Sequence, residues 1–183
     1  MVTIQRCQGK YLYIANVLDP YTHIHLCTGV LLDSDQVAIP AQCVLKEAAN
    51  EPGSPVYFPI VRMGSKNLNK HEEAGEEEVL EVSQIAVHSG FDGDATHGFD
   101  LALLTLSRPS AVPPMESIVP ADGCRDGLSL LGWLAPSVQG APSVNLTAVP
   151  RMAYKKPEEC DAAAGGMPPN ATCAASPIAQ ALS

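Results

Sequence analysis

The chain has 183 residues, 46% of them hydrophobic and 17% charged, so it is long enough and apolar enough to fold around a hydrophobic core. Its 11 basic and 20 acidic residues give a formal net charge of -9 with no basic patch, which argues against nucleic acid and anionic membrane surfaces as partners. No apolar run approaches the roughly 20 residues that a membrane-spanning helix needs.

Six short segments rich in β-branched or aromatic residues predict strands in the first part of the chain. They are residues 10–18, 23–33, 36–44, 55–64, 78–88 and 100–107. Turn-forming runs such as Glu-Pro-Gly-Ser-Pro and Gly-Phe-Asp-Gly-Asp separate them. Together with 14 glycines and 16 prolines, this spacing favours an all-β fold, either a closed barrel or a sandwich.

The second part of the chain predicts a separate, smaller unit. Residues 108–127 read as an extended connector, since residues 108–123 carry four prolines and show no periodicity. Further strands are expected at residues 128–134 and near 143–154, and a short helix at 156–165, where Pro157 suits a first helical turn. The predicted organisation is therefore an N-terminal unit (1–107), a connector (108–127) and a C-terminal unit (128–183).

The cysteines indicate an oxidising compartment. There are six, an even number, and none lies in a Cys-x-x-Cys pair, so disulfides are favoured over zinc. The glycosylation sequons that begin at Asn145 and Asn170 agree with an extracellular, secreted protein. The opening run MVTIQRCQGK has no apolar segment of a signal peptide, so we expect the true start to lie upstream or secretion to be indirect.

Five stretches, in order and at matching spacing, carry a resemblance to a known family. They are residues 26–43, with Ala41-Gln42-Cys43 at the end, 61–69 with Val-Arg-Met-Gly, 85–109 with Phe-Asp-Leu-Ala-Leu-Leu, 130–160 with Gly-Trp-Leu, and 171–176 with Cys-Ala-Ala-Ser. Together they resemble the trypsin and chymotrypsin family of serine proteases. The resemblance covers nearly the whole chain.

This resemblance implies an all-β fold of two antiparallel β-barrels of the trypsin-like type that meet at a cleft, the second barrel being incomplete. It implies disulfides between Cys27 and Cys43 and between Cys160 and Cys173, which leaves Cys7 with Cys124 as a bond joining the two units. It also identifies Asp100 as the orienting acid of the catalytic triad, although an acid that opens an apolar strand can equally be a simple turn residue.

The position of the catalytic histidine is occupied by Gln42. A glutamine amide can donate or accept a hydrogen bond, but it has no basic lone pair and cannot relay a proton. Losing the base alone costs on the order of a million-fold in such sites. The nucleophile motif Gly-Asp-Ser-Gly-Gly-Pro and the Ile-Val-Gly-Gly start of active members are also missing from the sequence.

We therefore expect a trypsin-like serine protease homologue that is catalytically inactive and acts by binding or inhibiting a protein or polypeptide. The alternative is a fragment of a secreted serine endopeptidase that hydrolyses peptide bonds. Whether the chain is an enzyme is thus left open by the sequence. A third hypothesis, an unrelated β-sandwich adhesion domain, would require the ordered matches to be coincidental.

The remaining polar features favour structural interpretations, and neither a metal nor a cofactor is expected. His97 reads as a solvated loop residue rather than a displaced base. His23 and His25 would share one strand face but lack a third ligand for a metal. The acidic run 71–81 is interpreted as a solvated loop rather than a calcium site, and Trp133 as a packing residue.

Overall fold

The computed structural model describes residues 3–5, 11–44, 58–69, 77–116, 128–134, 140–155, 159–160 and 173–175. Those ranges hold ten strands: β1 (Thr3–Gln5), β2 (Ile14–Leu18), β3 (His25–Asp33), β4 (Gln36–Ile39), β5 (Ile60–Met63), β6 (Glu78–Val87), β7 (Ala102–Leu106), β8 (Leu128–Gly132), β9 (Thr147–Lys155) and β10 (Cys173–Ala175). A short 3-10 turn covers Ala95–His97. The predicted all-β class is confirmed.

Strands β2 to β7 form a closed antiparallel barrel in the order β2-β3-β4-β7-β6-β5. Each of the six predicted N-terminal segments contains one of these strands. Alternation of side chains places one face of each strand inside the barrel, and on β7 the residues Ala102, Leu104 and Leu106 are buried while their neighbours are only partly so. Closure leaves no free edge in this sheet, which removes a common route to aggregation.

The barrel interior is tightly packed. Its buried side chains are aliphatic: Ala15, Val17, Leu31, Val37, Ile39, Ala41, Val61, Met63, Leu80, Val82, Ala102, Leu104 and Leu106. Gly29 on β3 shows how close the packing is, because a Cβ there would lie 2.8 Å from Ile39 Cγ2 and 2.9 Å from Val37 Cγ1. Only glycine fits at this crossing of β3 and β4.

A second, partial sheet has the strand order β1-β8-β9-β10. It agrees with the predicted incomplete second unit, and the predicted boundaries at 107/108 and 127/128 stay predictions. Of the helix predicted at 156–165, the structure describes residues 159–160, which are helical. Across the described ranges, no helix combines the length and apolar character that crossing a membrane requires.

The outer face of the barrel packs against the second sheet. Ile14 of β2 and Val30 of β3 form a buried cluster with Leu131 of β8 and with Trp133, which is only 4% exposed. Trp133 is therefore a packing residue, as the sequence predicted. Burial of one tryptophan with three aliphatic side chains removes a large apolar area from water, so this cluster is the main apolar link between the two units in the described ranges.

Hydrogen bonds join the barrel and the second unit at a second place. Leu68 N–H donates to Val144 O at 2.8 Å and Leu146 N–H donates to Lys66 O at 2.7 Å. Between these bonds, Asn67 Nδ2 donates to Asn145 Oδ1 at 2.7 Å. The Asn145 side chain, a predicted glycosylation acceptor, is thus exposed and already engaged by the barrel.

The structure describes residues 77–81 of the acidic run 71–81. These residues do not form the solvated loop that we predicted. Glu77 contributes Oε2 to an ion pair with Arg62 Nε at 3.9 Å, with both side chains nearly buried. Glu78 begins β6 and accepts hydrogen bonds from Arg108 Nη1, Ser110 Oγ and Ala111 N–H, so it ties the start of the connector to the barrel. The prediction failed because these carboxylates meet partners that lie far away in the sequence. Residues 71–76 lie outside the described ranges.

Partial burial raises the pKa of Glu78, but the hydrogen bonds from Ser110, Arg108 and Ala111 outweigh this effect and hold it below its ordinary value. A carboxyl group with a lowered pKa in the folded state stabilises that state above its ordinary pKa, and the contribution is lost as pH falls below it. At neutral pH Glu78 is therefore ionised, and the hydrogen bonds that attach the connector to it make their full contribution to stability.

Candidate functional site

Strand register explains why Gln42 and Asp100 meet. Strands β4 and β7 are antiparallel, and their last pair joins Ile39 to Ala102. Continuing this register past Ile39 places Ala41 opposite Asp100, so that Gln42 is the next residue along. The strand predicted to reach residue 44 ends at Ile39, because Pro40 cannot donate to the ladder and residues 42–44 are helical.

Asp100 binds Gln42 through both carboxylate oxygens. The backbone N–H of Gln42 donates to Oδ1 at 2.8 Å, and the side-chain Nε2 donates to Oδ2 at 3.0 Å. The first bond satisfies a backbone donor at the start of a helical turn, where an acid is electrostatically favoured. The second holds the Gln42 amide in one orientation. We call this pair of contacts the Gln42–Asp100 clamp.

The backbone before Asp100 is set by an uncommon conformation. Phe99 adopts a positive φ of 56°, which is rare for a residue with a bulky side chain. Its ring stacks on His88 with centroids 5.0 Å apart, and the backbone on either side is fixed by bonds from Leu101 N–H to Phe99 O and from His88 N–H to Leu101 O. Because these contacts hold Phe99, the Asp100 carboxylate is directed at Gln42.

A disulfide fixes the opposite side of the clamp. Cys43, adjacent to Gln42, is bonded to Cys27 of β3, with a Cα–Cα distance of 6.2 Å. This bond was implied by the family resemblance and is present. Ala41, on the other side of Gln42, is fully buried in the barrel core. The exposed Gln42 side chain is therefore carried by a rigid base.

The chain belongs to the trypsin family, because the model of the family described as Trypsin matches residues 4–181. This match spans both sheets, and it agrees with the closed barrel and the partial second sheet. The resemblance drawn from the five sequence stretches is confirmed.

In a protein of the trypsin family, the Gln42–Asp100 clamp limits the chemical steps that the site can perform. An amide Nε2 donates to a carboxylate much as a neutral imidazole N–H does, so Gln42 preserves the hydrogen bond to Asp100. It offers no titratable nitrogen on the side facing away from the acid. The arrangement can position polar groups and accept a hydrogen bond, but it cannot remove a proton from an attacking hydroxyl.

His97 does not take the place of a base beside Asp100. Its ring is 64% exposed, and Nδ1 lies 2.7 Å from Asp92 Oδ2, with Asp94 beyond at 3.9 Å from Nε2. The hydrogen bond with Asp92 raises the pKa of His97, and the negative charges of both aspartates add to this effect. A histidine with a raised pKa that is tied to an exposed loop is a structural residue of that loop.

His23 and His25 do not share a strand face, and that prediction is wrong. Strand β3 begins at His25, whereas His23 lies in the preceding loop with a positive φ of 57°. His25 instead turns towards Asn16, with Nδ1 2.6 Å from Oδ1, and its ring lies against Trp133. In the part of the chain that the structure describes, no three His, Cys, Asp or Glu side chains are grouped to hold a metal.

The Asn16–His25 contact was missed by the sequence analysis. The one available signal was Asn16 itself, a polar residue in the otherwise apolar run Ile-Ala-Asn-Val-Leu. A fully buried asparagine needs a partner, and the strand pattern alone does not say which residue supplies it.

The other predicted cysteine and glycosylation sites are only partly within the described residues. Cys160 is buried and disulfide-bonded, while the Cys173 side chain, Cys7 and Cys124 lie outside them, so both pairings stay predictions. Strand β10, which carries Cys173, pairs with β9 through Lys155. Asn170 also lies outside the described ranges.

Proposed function

We propose that this trypsin-family protein is catalytically inactive and acts by binding a polypeptide or protein outside the cell. The observation that carries the proposal is the Gln42–Asp100 clamp, in which a non-titrating amide is hydrogen-bonded to the residue that the family resemblance identifies as the orienting acid. The clamp is fully hydrogen-bonded, so the substitution is accommodated without leaving the Asp100 carboxylate unpaired. The Cys27–Cys43 disulfide supports an oxidising, extracellular location.

Support for a binding role comes from the loop between β2 and β3, residues 19–24. It presents Tyr21 and Ile24 to solvent with exposures of 81% and 63%. Hydrogen bonds within the loop nevertheless hold its backbone in one conformation. Asp19 N–H donates to Ile24 O at 3.0 Å, and Asp19 Oδ1 accepts from the N–H groups of Tyr21 and Thr22.

An ordered loop that exposes an aromatic and an aliphatic side chain loses little entropy when it binds, which is the property of interface anchor residues. Leu101, beside Asp100, is a further exposed apolar residue at 46%. A polypeptide is therefore the class of ligand that we infer, with Tyr21 and Ile24 as its first contacts.

Peptide-bond hydrolysis tests this proposal. The unmodified chain is expected to release no fluorophore from fluorogenic arginine and lysine peptides above the rate of a Gln42→Asn variant, which keeps an amide at the position. The physical reason is that neither amide can accept the proton of a nucleophile. Initial rates at micromolar protein concentration are the measurement.

Turnover by the unmodified chain above that control would overturn the proposal. The Gln42→His variant is the comparison, because it restores a titrating ring beside Asp100. Activity in this variant alone would leave the unmodified chain inactive and would favour descent from a secreted serine endopeptidase whose base has been replaced.

A further inference from the structure

His25 occupies the contact between the barrel and the second sheet. It begins β3 on the outer face of the barrel, where its register partner is Leu18 of β2. Its ring centroid lies 5.4 Å from that of Trp133, and Trp133 belongs to the buried cluster that joins the two units. A change in the charge of His25 therefore acts directly on the residue that holds the sheet to the barrel.

The hydrogen bond to Asn16 fixes the tautomer of His25. A side-chain amide oxygen can only accept, so Nδ1, 2.6 Å from Asn16 Oδ1, must carry the hydrogen in the neutral ring. The lone pair is then on Nε2, and protonation there creates an imidazolium. Asn16 is fully buried, and within the described residues its contact with Nδ1 is the one hydrogen bond that His25 makes, so no acceptor there receives the new N–H at Nε2.

No acidic group within the described residues compensates a positive charge at this site. His25 forms no ion pair there. In the loop after β2 the neighbouring charge is Asp19, whose Oδ1 is bonded to two loop N–H groups. On β5 the residue opposite Asn16 is the cation Arg62, and the acid beside it, Glu77, is in an ion pair with Arg62. From the second sheet, residues 128–134 bring no charged side chain, and His23 faces solvent in the loop.

We propose that His25 is an acid-sensitive latch: uptake of a proton at Nε2 below neutral pH loosens the contact between Trp133 and the outer face of the barrel. The latch is closed when His25 is neutral. It concerns the joint between the two units and does not depend on whether the protein binds a polypeptide.

Linkage gives the direction and the pH window. Burial lowers the pKa of His25 from 6.5 to about 4 in the closed state, whereas a hydrated His25 in the opened state titrates near 6.5. The opened state therefore takes up a proton first, and stability is present above pH 6.5 and lost as pH falls towards 4. Between pH 8 and pH 5 the equilibrium constant for opening should rise on the order of 30-fold.

Urea titrations of the full chain at pH 8 and pH 5 test the latch, because Trp133 is the only tryptophan and reports its own exposure. We expect the roughly 30-fold rise in the unmodified chain and a rise of less than threefold in a His25→Gln variant, which keeps a donor for Asn16 but cannot be charged. A His97→Gln variant is the matched control and should keep the large rise, since His97 lies in an exposed loop.

An equal rise in His25→Gln and the unmodified chain, or a rise below threefold in the unmodified chain, would overturn the latch. If His25→Gln fails to fold, a second measurement on the unmodified chain still tests the latch. Nuclear magnetic resonance of the unmodified chain can follow the His25 ring protons with pH, where a midpoint below pH 5.5 supports the latch and a midpoint at or above 5.5 refutes it.

Discussion

Replacing Trp133 with alanine is expected to lower the free energy of unfolding by about 3–5 kcal/mol, the range for removing a large buried aromatic side chain. Trp133 is 4% exposed and belongs to one buried cluster with Leu131 of the second sheet and Ile14 and Val30 of the barrel. Its removal leaves a cavity at the joint between the two units. Urea unfolding followed by far-ultraviolet circular dichroism is the measurement, since the variant has no tryptophan to report by fluorescence.

Trp133→Phe is the matched control. The indole Nε1 has no hydrogen-bond partner in the described part of the chain, so phenylalanine loses apolar area but no polar contact. We expect less than half of the alanine effect for this variant. A loss of less than about 1 kcal/mol for Trp133→Ala would show that the cluster does not hold the two units together.

Removing the Cys27–Cys43 disulfide is expected to lower the free energy of unfolding by about 3 kcal/mol, because the bond closes a loop with a sequence separation of 16. The measurement is the urea midpoint of a Cys27→Ala/Cys43→Ala double variant, purified under oxidising conditions. Since Cys43 is adjacent to Gln42, the second expected consequence is faster hydrogen exchange of the Gln42 N–H, which donates to Asp100.

Two controls distinguish the effect of losing the disulfide from the effect of a general loss of packing. A peptide map must show that the bond of Cys160 is still formed in the double variant. A Leu104→Ala variant, altered in the barrel core, should lose stability without selective exchange at Gln42. An unchanged urea midpoint in the double variant would contradict the expected role of the bond.

The features that sequence analysis predicted correctly depend on local pattern or on ordered family matches. Richness in β-branched or aromatic residues between turn-forming runs indicated the six barrel strands, since such side chains suit the pleated surface of a sheet. The family resemblance also brought Gln42 and Asp100 together, and the β4–β7 register supplies the physical reason for their contact, while their roles stay predictions. The Cys27–Cys43 bond followed from the same resemblance.

The features that it missed depend on contacts between distant segments. His25 was placed on one strand face with His23, because alternation along a strand does not reveal that β3 starts at His25 or that Trp133 lies against its ring. Glu78 was assigned both to the strand 78–88 and to the solvated acidic run, and its hydrogen-bond partners were missed because they come from the connector, about 30 residues away. Charge and periodicity report the preference of a residue for water, whereas its partner is set by the tertiary fold.

The central claim, binding without cleavage, is tested most directly by the fate of a bound peptide. Twelve-residue peptides displayed on phage are selected on the full chain alone, and a Tyr21→Ser/Ile24→Ser variant is kept for the comparison of affinities. A synthetic copy of a selected peptide is then incubated with the chain and examined by mass spectrometry. We predict that it binds the chain at least about tenfold more tightly than the variant and remains intact. A peptide that is cleaved, or that binds both proteins equally, would contradict the account.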